Sequence, residues 1–357
     1  MAEKILMKGN EALAEAAVRA GCRYFFGYPI TPQNEIPEYM SRRLPEVGGV
    51  YLQAESEVSA INMVFGAAGT GARVLISSSS PGISLMQEGL SYIAGAELPC
   101  VIINVVRGGP GLGGILPAQS DYFQATRGGG HGDYYLIVLA PHDLQEAVDL
   151  VMLAFELADK YRNPVMVFAD GFLGQMMEPV EFKKEVDPST LPPKEWAVGE
   201  AKGRERNLIK TLYLDPKELE AHNLKLKRKY EEITQNEVRY ETYMMDDAEI
   251  AITAYGTSAR IAKTAIGVLR KKGIKAGLIR PITLFPFPYK VYEEFVSQLK
   301  YMLVVEMSMG QFIHDVEFAV KDKIRLGFLG HAGGVTPTYE EMIDLILAEL
   351  GKEGDHA

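Results

Sequence analysis

The chain has 357 residues, 47% of them hydrophobic and 24% charged, enough for two domains with cores of their own. A net charge of −10 excludes a general nucleic-acid binder, which needs clustered Lys and Arg. No apolar run is long enough to cross a membrane, and Met1-Ala-Glu-Lys-Ile-Leu6 has none of the parts of a signal peptide, so the expected location is cytoplasmic with no membrane partner.

In chain order, residues 1–182 alternate between helix and strand. Asn10 is a candidate N-cap for a helix running to Ala20, with Gly21 as its stop. Strands are expected at Cys22–Tyr28, Val50–Ala54, Arg73–Ser78, Cys100–Val106, Leu136–Leu139 and Val165–Ala169. Helices are expected at Glu57–Ala68, Ile83–Ala94 and Leu144–Lys160. The Cys100–Val106 run is almost wholly apolar, as in a strand covered on both faces. Residues 108–134 are Gly-rich and irregular. This order predicts an α/β fold with a doubly wound, mainly parallel sheet. Residues 183–247 break the pattern. They read as a charged connector arm, with a helix over Pro216–Ile233 presenting a solvated face. From 248 to 357 a second, smaller α/β domain is expected. Its strands fall at Ile250–Ala254, Ala276–Ile279, Met302–Val305 and Ile324–Phe328, its helices at Ser258–Lys271 and from Gln311, and Thr336-Pro337 opens a last helix with Pro at its first position.

Several segments carry chemistry, each beside a plainer reading. Phe26-Gly27-Tyr28-Pro29-Ile30-Thr31-Pro32 follows a strand, where open α/β sheets keep their ligands. Its prolines fix the backbone around Thr31, which is either a ligand hydroxyl or a helix cap in a rigid turn. Glu57 heads a helix that is uncharged from Val58 to Ala72. It either only complements the helix dipole or, desolvated by its neighbours, shares a proton with a ring nitrogen. Ser77-Ser-Ser-Ser80-Pro-Gly82 is a ligand-facing turn or merely a polar one. Arg107 closes an apolar strand and can grip a carboxylate or form a surface ion pair. His131, in Gly128-Gly-Gly-His131-Gly-Asp133, is a candidate proton carrier or substrate contact with no partner visible in sequence. Gly109-Pro-Gly111-Leu-Gly-Gly114 fits a dinucleotide pattern formally. It opens no periodic helix and has no strand-terminal acid about 20 residues on, so a loop approached by backbone or ligand is the better reading. Nothing in the Cys/His spacing suggests a metal site, and two cysteines, Cys22 and Cys100, cannot hold a cubane iron–sulfur cluster, which takes about four.

Taken together, Tyr28-Pro-Ile-Thr-Pro32, Glu55-Ser-Glu57 with its small-residue helix, Ser80-Pro-Gly82, Asn104-Val-Val-Arg-Gly-Gly-Pro110, Asn163-Pro-Val and Asp170-Gly resemble 2-oxoacid:ferredoxin oxidoreductases. The similarity is to the subunit carrying the thiamine-pyrimidine-binding domain and a transketolase C-terminal-like domain. Ala254-Tyr-Gly-Thr-Ser258 and Arg280-Pro-Ile-Thr-Leu-Phe-Pro286 match the latter.

The resemblance implies thiamine diphosphate as cofactor, with Glu57 on the aminopyrimidine N1′ to favour the imino tautomer, and with Pro29, Ser80 and Gly82 against the cofactor. Thr31 and Arg107 match the family's contacts to the substrate carboxylate. It implies coenzyme A as co-substrate and single-electron transfer to iron–sulfur clusters on other subunits. The family's G-D-G diphosphate and magnesium element is missing from this sequence. A diphosphate-binding subunit, an iron–sulfur ferredoxin-like subunit, a small γ-type subunit and ferredoxin are therefore the expected partners. The apolar Leu112, Ile115 and Leu116 point to the branched-chain type acting on 3-methyl-2-oxobutanoate. A 2-oxoglutarate enzyme, a transketolase-like component without ferredoxin and a non-catalytic nucleotide-binding protein are the alternatives.

Overall fold

The structure is a computed structural model that describes residues 4–199 and 201–354. The first half runs β1 (Ile5–Lys8), α1 (Gly9–Arg19), β2 (Tyr24–Gly27), α2 (Glu35–Glu46), β3 (Val50–Gln53), α3 (Glu57–Gly69), β4 (Val74–Ser78) and α4 (Ser80–Gly95). It continues with β5 (Cys100–Val106), α5 (Tyr122–Arg127), β6 (Ile137–Leu139), α6 (Leu144–Tyr161), β7 (Pro164–Asp170), α7 (Gly171–Gln175) and β8 (Met177–Val180). Then come α8 (Pro216–Asn236), β9 (Tyr240–Tyr243), β10 (Ile250–Thr253), α9 (Gly256–Lys271), β11 (Ala276–Pro281), β12 (Thr283–Phe285), α10 (Tyr289–Phe295), β13 (Tyr301–Glu306), α11 (Phe312–Val320), β14 (Arg325–Gly330) and α12 (Tyr339–Gly354).

Among the described residues the main sheet has the order β12-β6-β7-β5-β4-β2-β3, parallel except for β12. Every residue of β4, β5 and β7 is buried. Helices on both faces leave no solvated side, which is why these strands read as unbroken apolar runs. The second sheet has the order β14-β13-β10-β11-β9, with β9 antiparallel at its edge. β1 and β8 form a separate antiparallel pair.

The expected strands and long helices are present, and the differences have local causes. Asn10 does not cap α1. It lies inside the helix, and its amide reaches across to Pro32 O (2.7 Å) and Glu35 (2.6 Å). The last helix begins at Tyr339, not at Pro337, because Thr338 and Glu341 form a reciprocal capping box (2.8 and 3.2 Å). α2, α10 and β12 fall in stretches whose prolines obscure periodicity. The segment read as an arm does contain a charged helix, but α8 buries Leu226, Tyr230 and Ile233. Tyr230 packs edge-on to Tyr135, and His222 Nε2 lies 2.7 Å from Gly95 O. Residues 240–243 of the same segment are the edge strand of the second sheet, while β12 pairs with β6 of the first. The two sheets therefore exchange strands at their border.

Candidate active site

The parallel strands all point one way, so the segments after β2, β3, β4 and β5 emerge at one edge, the carboxyl edge that open α/β sheets use for ligands. This places Thr31, Glu57, Ser78–Gly82 and Arg107 along one rim.

Glu57 is the first residue of α3. Ser56 caps the helix by accepting from Ser59 N (3.3 Å). That fixes the first turn and aims Glu57 inward, where it is only 6% exposed. Among the described residues nothing donates to its carboxylate. Across from it, α4 begins at Ser80, so the Ser-Pro-Gly segment is the helix's first turn and not a separate loop. A Cβ on Gly82 would lie 2.5 Å from Glu57 Oε1 and 2.0 Å from Ser78 Oγ. The hydroxyls of Ser78 and Ser79 are buried with no hydrogen-bond partner. A partnerless acid, two buried hydroxyls without partners and a glycine that lets the acid and Ser78 pack close thus lie together at the carboxyl edge.

Arg107 is 6% exposed. Its Nη1 donates to Thr31 O and its Nη2 to Leu112 O, both at 2.9 Å, while Nε–H is buried and unpaired. The guanidinium thus ties the Thr31 turn to the 108–117 loop and keeps one donor open. Ser80 holds the same residue from behind: its hydroxyl accepts from Arg107 N (3.1 Å) and lies 3.2 Å from Arg107 O. The Thr31 hydroxyl is exposed and has only a long contact from Asn34 (3.5 Å). Thr31, Pro32, Ile115, Leu116, Pro117 and Phe172 line much of a cavity of about 470 Å³, with Asn34, Glu35 and Gln175 at its polar side. Leu112, Ile115 and Leu116 are largely exposed, Leu112 by 82%, so this chain leaves their apolar surface uncovered.

Comparison with known proteins agrees with this geometry. Residues 15–246 match the family described as pyruvate flavodoxin/ferredoxin oxidoreductase, thiamine diphosphate-binding, and residues 248–342 match pyruvate:ferredoxin oxidoreductase core domain II. The chain belongs to the 2-oxoacid:ferredoxin oxidoreductase family. The ketoisovalerate oxidoreductase subunit VorB of Methanothermobacter marburgensis is 52% identical over 314 residues, 88% of this chain and 89% of that one. The 2-oxoglutarate synthase subunit KorA of Methanocaldococcus jannaschii is 37% identical over 363 residues, 96% of this chain and 98% of that one. A solved 2-oxoglutarate:ferredoxin oxidoreductase from Magnetococcus marinus, with 2-oxoglutarate, coenzyme A and succinyl-CoA bound, superposes with a TM-score of 0.85 at 27% identity. It covers 98% of this chain, which spans 65% of that longer one.

In this family member the sequence-derived candidates divide. Thr31, Glu57, Gly82 and Arg107 share the rim. Ser80 is there too, but its hydroxyl is taken up by the Arg107 peptide. Pro29 is exposed on the outer part of the same turn. His131 is elsewhere. It lines a cavity with Ser91, Gly95 and His222, and Ser91 lies about 13 Å along α4 from Gly82 at about 1.5 Å per residue.

Three side chains that shape the cavity or its surroundings were given no role from sequence, although Asp170 stood in one of the quoted motifs. Glu35 forms the acidic part of the cavity wall. Burial opposes its ionisation, but bonds from Lys8 (2.5 Å), Asn10 and Gln175 hold its carboxyl below the usual range. Asp170 caps α7 through Phe172 N (2.9 Å) and Leu173 N (3.1 Å) and so fixes the Phe172 wall. Burial pushes its carboxyl up, against bonds from Thr257 and these amides. Gln119 is buried against the second domain. An acid at a helix start was a signal available for Asp170. For Glu35 and Gln119 the partners are distant in sequence.

Proposed function

We propose that this chain is the subunit of a 3-methyl-2-oxobutanoate:ferredoxin oxidoreductase that presents the 2-oxoacid pocket and the pyrimidine side of thiamine diphosphate. The observation that carries the proposal is the buried Glu57, which has no partner among the described residues at the carboxyl edge of the sheet. The geometry around it suits a flat heteroaromatic ring: an acceptor at the edge, two unsatisfied hydroxyls, and a wall from which any Cβ at position 82 is excluded. Glu57 would hold the pyrimidine nitrogen, sharing a proton with it. Thiamine diphosphate held there would supply nucleophilic-carbon and electron-sink chemistry for decarboxylation of a 2-oxoacid. Arg107 offers its open Nε–H, and Thr31 its hydroxyl, to the substrate carboxylate.

The branched-chain assignment rests on the cavity wall. No Lys or Arg lines it, its apolar part is Ile115, Leu116, Pro117 and Phe172, and Glu35 is ionised beside them. That wall suits an isopropyl group and repels the second carboxylate of 2-oxoglutarate. The 52% identity to a ketoisovalerate oxidoreductase subunit supports the same choice. Magnesium and diphosphate binding fall to a partner subunit, since this sequence has no G-D-G element. Iron–sulfur clusters fall to a ferredoxin-like subunit, and a small γ-type subunit, ferredoxin and coenzyme A complete the reaction.

A panel of 2-oxoacids tests this, with coenzyme A-dependent viologen or ferredoxin reduction by the assembled complex as the readout. 3-Methyl-2-oxobutanoate should exceed pyruvate and 2-oxoglutarate in kcat/KM by about tenfold or more, the worth of one or two well-packed methyl groups. A preference for 2-oxoglutarate would overturn the assignment.

A further inference from the structure

The 108–117 loop forms one side of the cavity, and its first-domain anchors gather at Arg107 and Gly108, with Arg107 Nη2 also reaching Leu112 O. Arg107 bridges Pro117 at its base, Gly108 N donates to Leu116 O (3.0 Å), and Gly114 N donates to Gly108 O (2.8 Å). Just past Pro117 the chain is held by the second domain as well. Gln119, 1% exposed, follows Pro117 by two residues, within about 7 Å of chain. Its Nε2 donates to Tyr255 O (2.9 Å), and its Oε1 accepts from Ser258 Oγ (2.9 Å) and Met307 N (2.9 Å). Its backbone N–H donates to Met307 O (2.8 Å), and its carbonyl accepts from Tyr255 Oη (3.3 Å). Every hydrogen-bonding group of this residue except one amide proton is therefore committed to the second domain. The same domain crowds the loop directly: a Cβ on Gly334 would lie 2.5 Å from Leu116 Cβ, and one on Gly108 would lie 3.0 Å from Gly333 C.

We propose that Gln119 is a positioning residue through which the second domain holds Ile115, Leu116 and Pro117 against the substrate side chain, so that selection among 2-oxoacids depends on a domain that contributes no residue to the cavity lining. This rests on the pocket assignment above. A loop fixed at both ends presents a wall of defined shape, and discrimination by one methyl group requires such a wall. Freed at the Gln119 end, the loop keeps its Arg107 anchor, so carboxylate capture survives while the apolar wall loosens.

The test compares three variants in the assembled complex: Gln119→Ala, the milder Ser258→Ala, which removes one bond to Gln119 Oε1, and Tyr122→Phe. The last removes a 2.6 Å inter-domain bond to Asp315 outside the loop. Gln119→Ala and Ser258→Ala should raise KM for 3-methyl-2-oxobutanoate by about three- to tenfold with kcat within about twofold, and should narrow its advantage over pyruvate. Amide hydrogen exchange across 108–117 should speed up by about tenfold in both. Tyr122→Phe should lower Tm and change neither readout. Unchanged exchange in Gln119→Ala and Ser258→Ala, or an equal effect of Tyr122→Phe, overturns the clamp alone. Faster exchange with KM unchanged for every oxoacid overturns the substrate role and, with it, the pocket assignment.

Discussion

At position 82 a single methyl group would collide with both Glu57 and Ser78, so the acid can pack where it does only because the third residue of the facing helix has no side chain. At Arg107 the two Nη atoms donate to the carbonyls of Thr31 and Leu112 and leave Nε–H buried and unpaired. These are residue-scale arrangements, and the test of Glu57 belongs here. Glu57→Gln is nearly isosteric and breaks no hydrogen bond among the described residues, so the complex should assemble at normal yield and Tm. Its kcat should fall on the order of 10²-fold, the usual worth of a positioned acid–base group. Turnover near the wild-type value would remove Glu57 from the mechanism. Glu57 and Arg107 were legible in the sequence as a helix-heading acid and a strand-ending guanidinium. The Arg107–Thr31 bond was not, because it spans 76 residues.

Among the elements, β11 and α6 share a charged contact between the two halves. Arg280 is 2% exposed and clamps Glu146 of α6 with Nη1 and Nη2 (2.8 Å each), while its Nε binds Glu241 of β9 (2.7 Å). The Arg280-Pro-Ile-Thr-Leu-Phe-Pro286 motif thus carries an inter-domain lock. Burial of Glu146 opposes its ionisation, but hydrogen bonds from His142 and Arg280 win and hold its carboxyl at about 2, down from 4.5. A carboxyl depressed in the folded state stabilises above its unfolded value, and that stability drains away as pH falls from 4.5 toward about 2. The shift corresponds to about 3 kcal/mol at neutral pH. Thermal scans should therefore show a steep loss of Tm through that window, with a shallower slope in Glu146→Gln. Arg280→Ala takes the guanidinium from Glu146, which keeps His142, and from Glu241, which keeps Lys263 (2.8 Å), and should cost about 2–3 kcal/mol; a loss below about 1 kcal/mol would show the lock to be unimportant. α8 teaches a related lesson. Its Leu226, Tyr230 and Ile233 stripe follows helical spacing inside a highly charged sequence, so the pattern was present but outweighed by composition.

At the scale of the whole molecule the site is an open rim. Exposed Leu112, Ile115 and Leu116 border it, and the sequence holds no diphosphate element. The isolated chain should accordingly bind thiamine diphosphate with a Kd weaker than about 10 μM by calorimetry, and addition of the diphosphate-binding subunit should tighten it by about 100-fold or more. Micromolar-or-better binding by this chain alone would contradict the shared-site reading.

The sequence by itself determined the strand-and-helix alternation, the buried parallel strands and the identity of Glu57, Thr31 and Arg107 as candidates, because these depend on local composition and on periodicity along the chain. It also determined the family, through short motifs that each encode a local turn or cap. Only the tertiary structure decided which candidates meet. It set His131 at the far end of α4, turned the Ser80 hydroxyl toward the Arg107 peptide, and made Gln119 and Arg280 the fasteners between the two halves. Their hydrogen-bond partners across the domain border lie more than a hundred residues away. No local pattern encodes such pairings, because they form when the two sheets pack together.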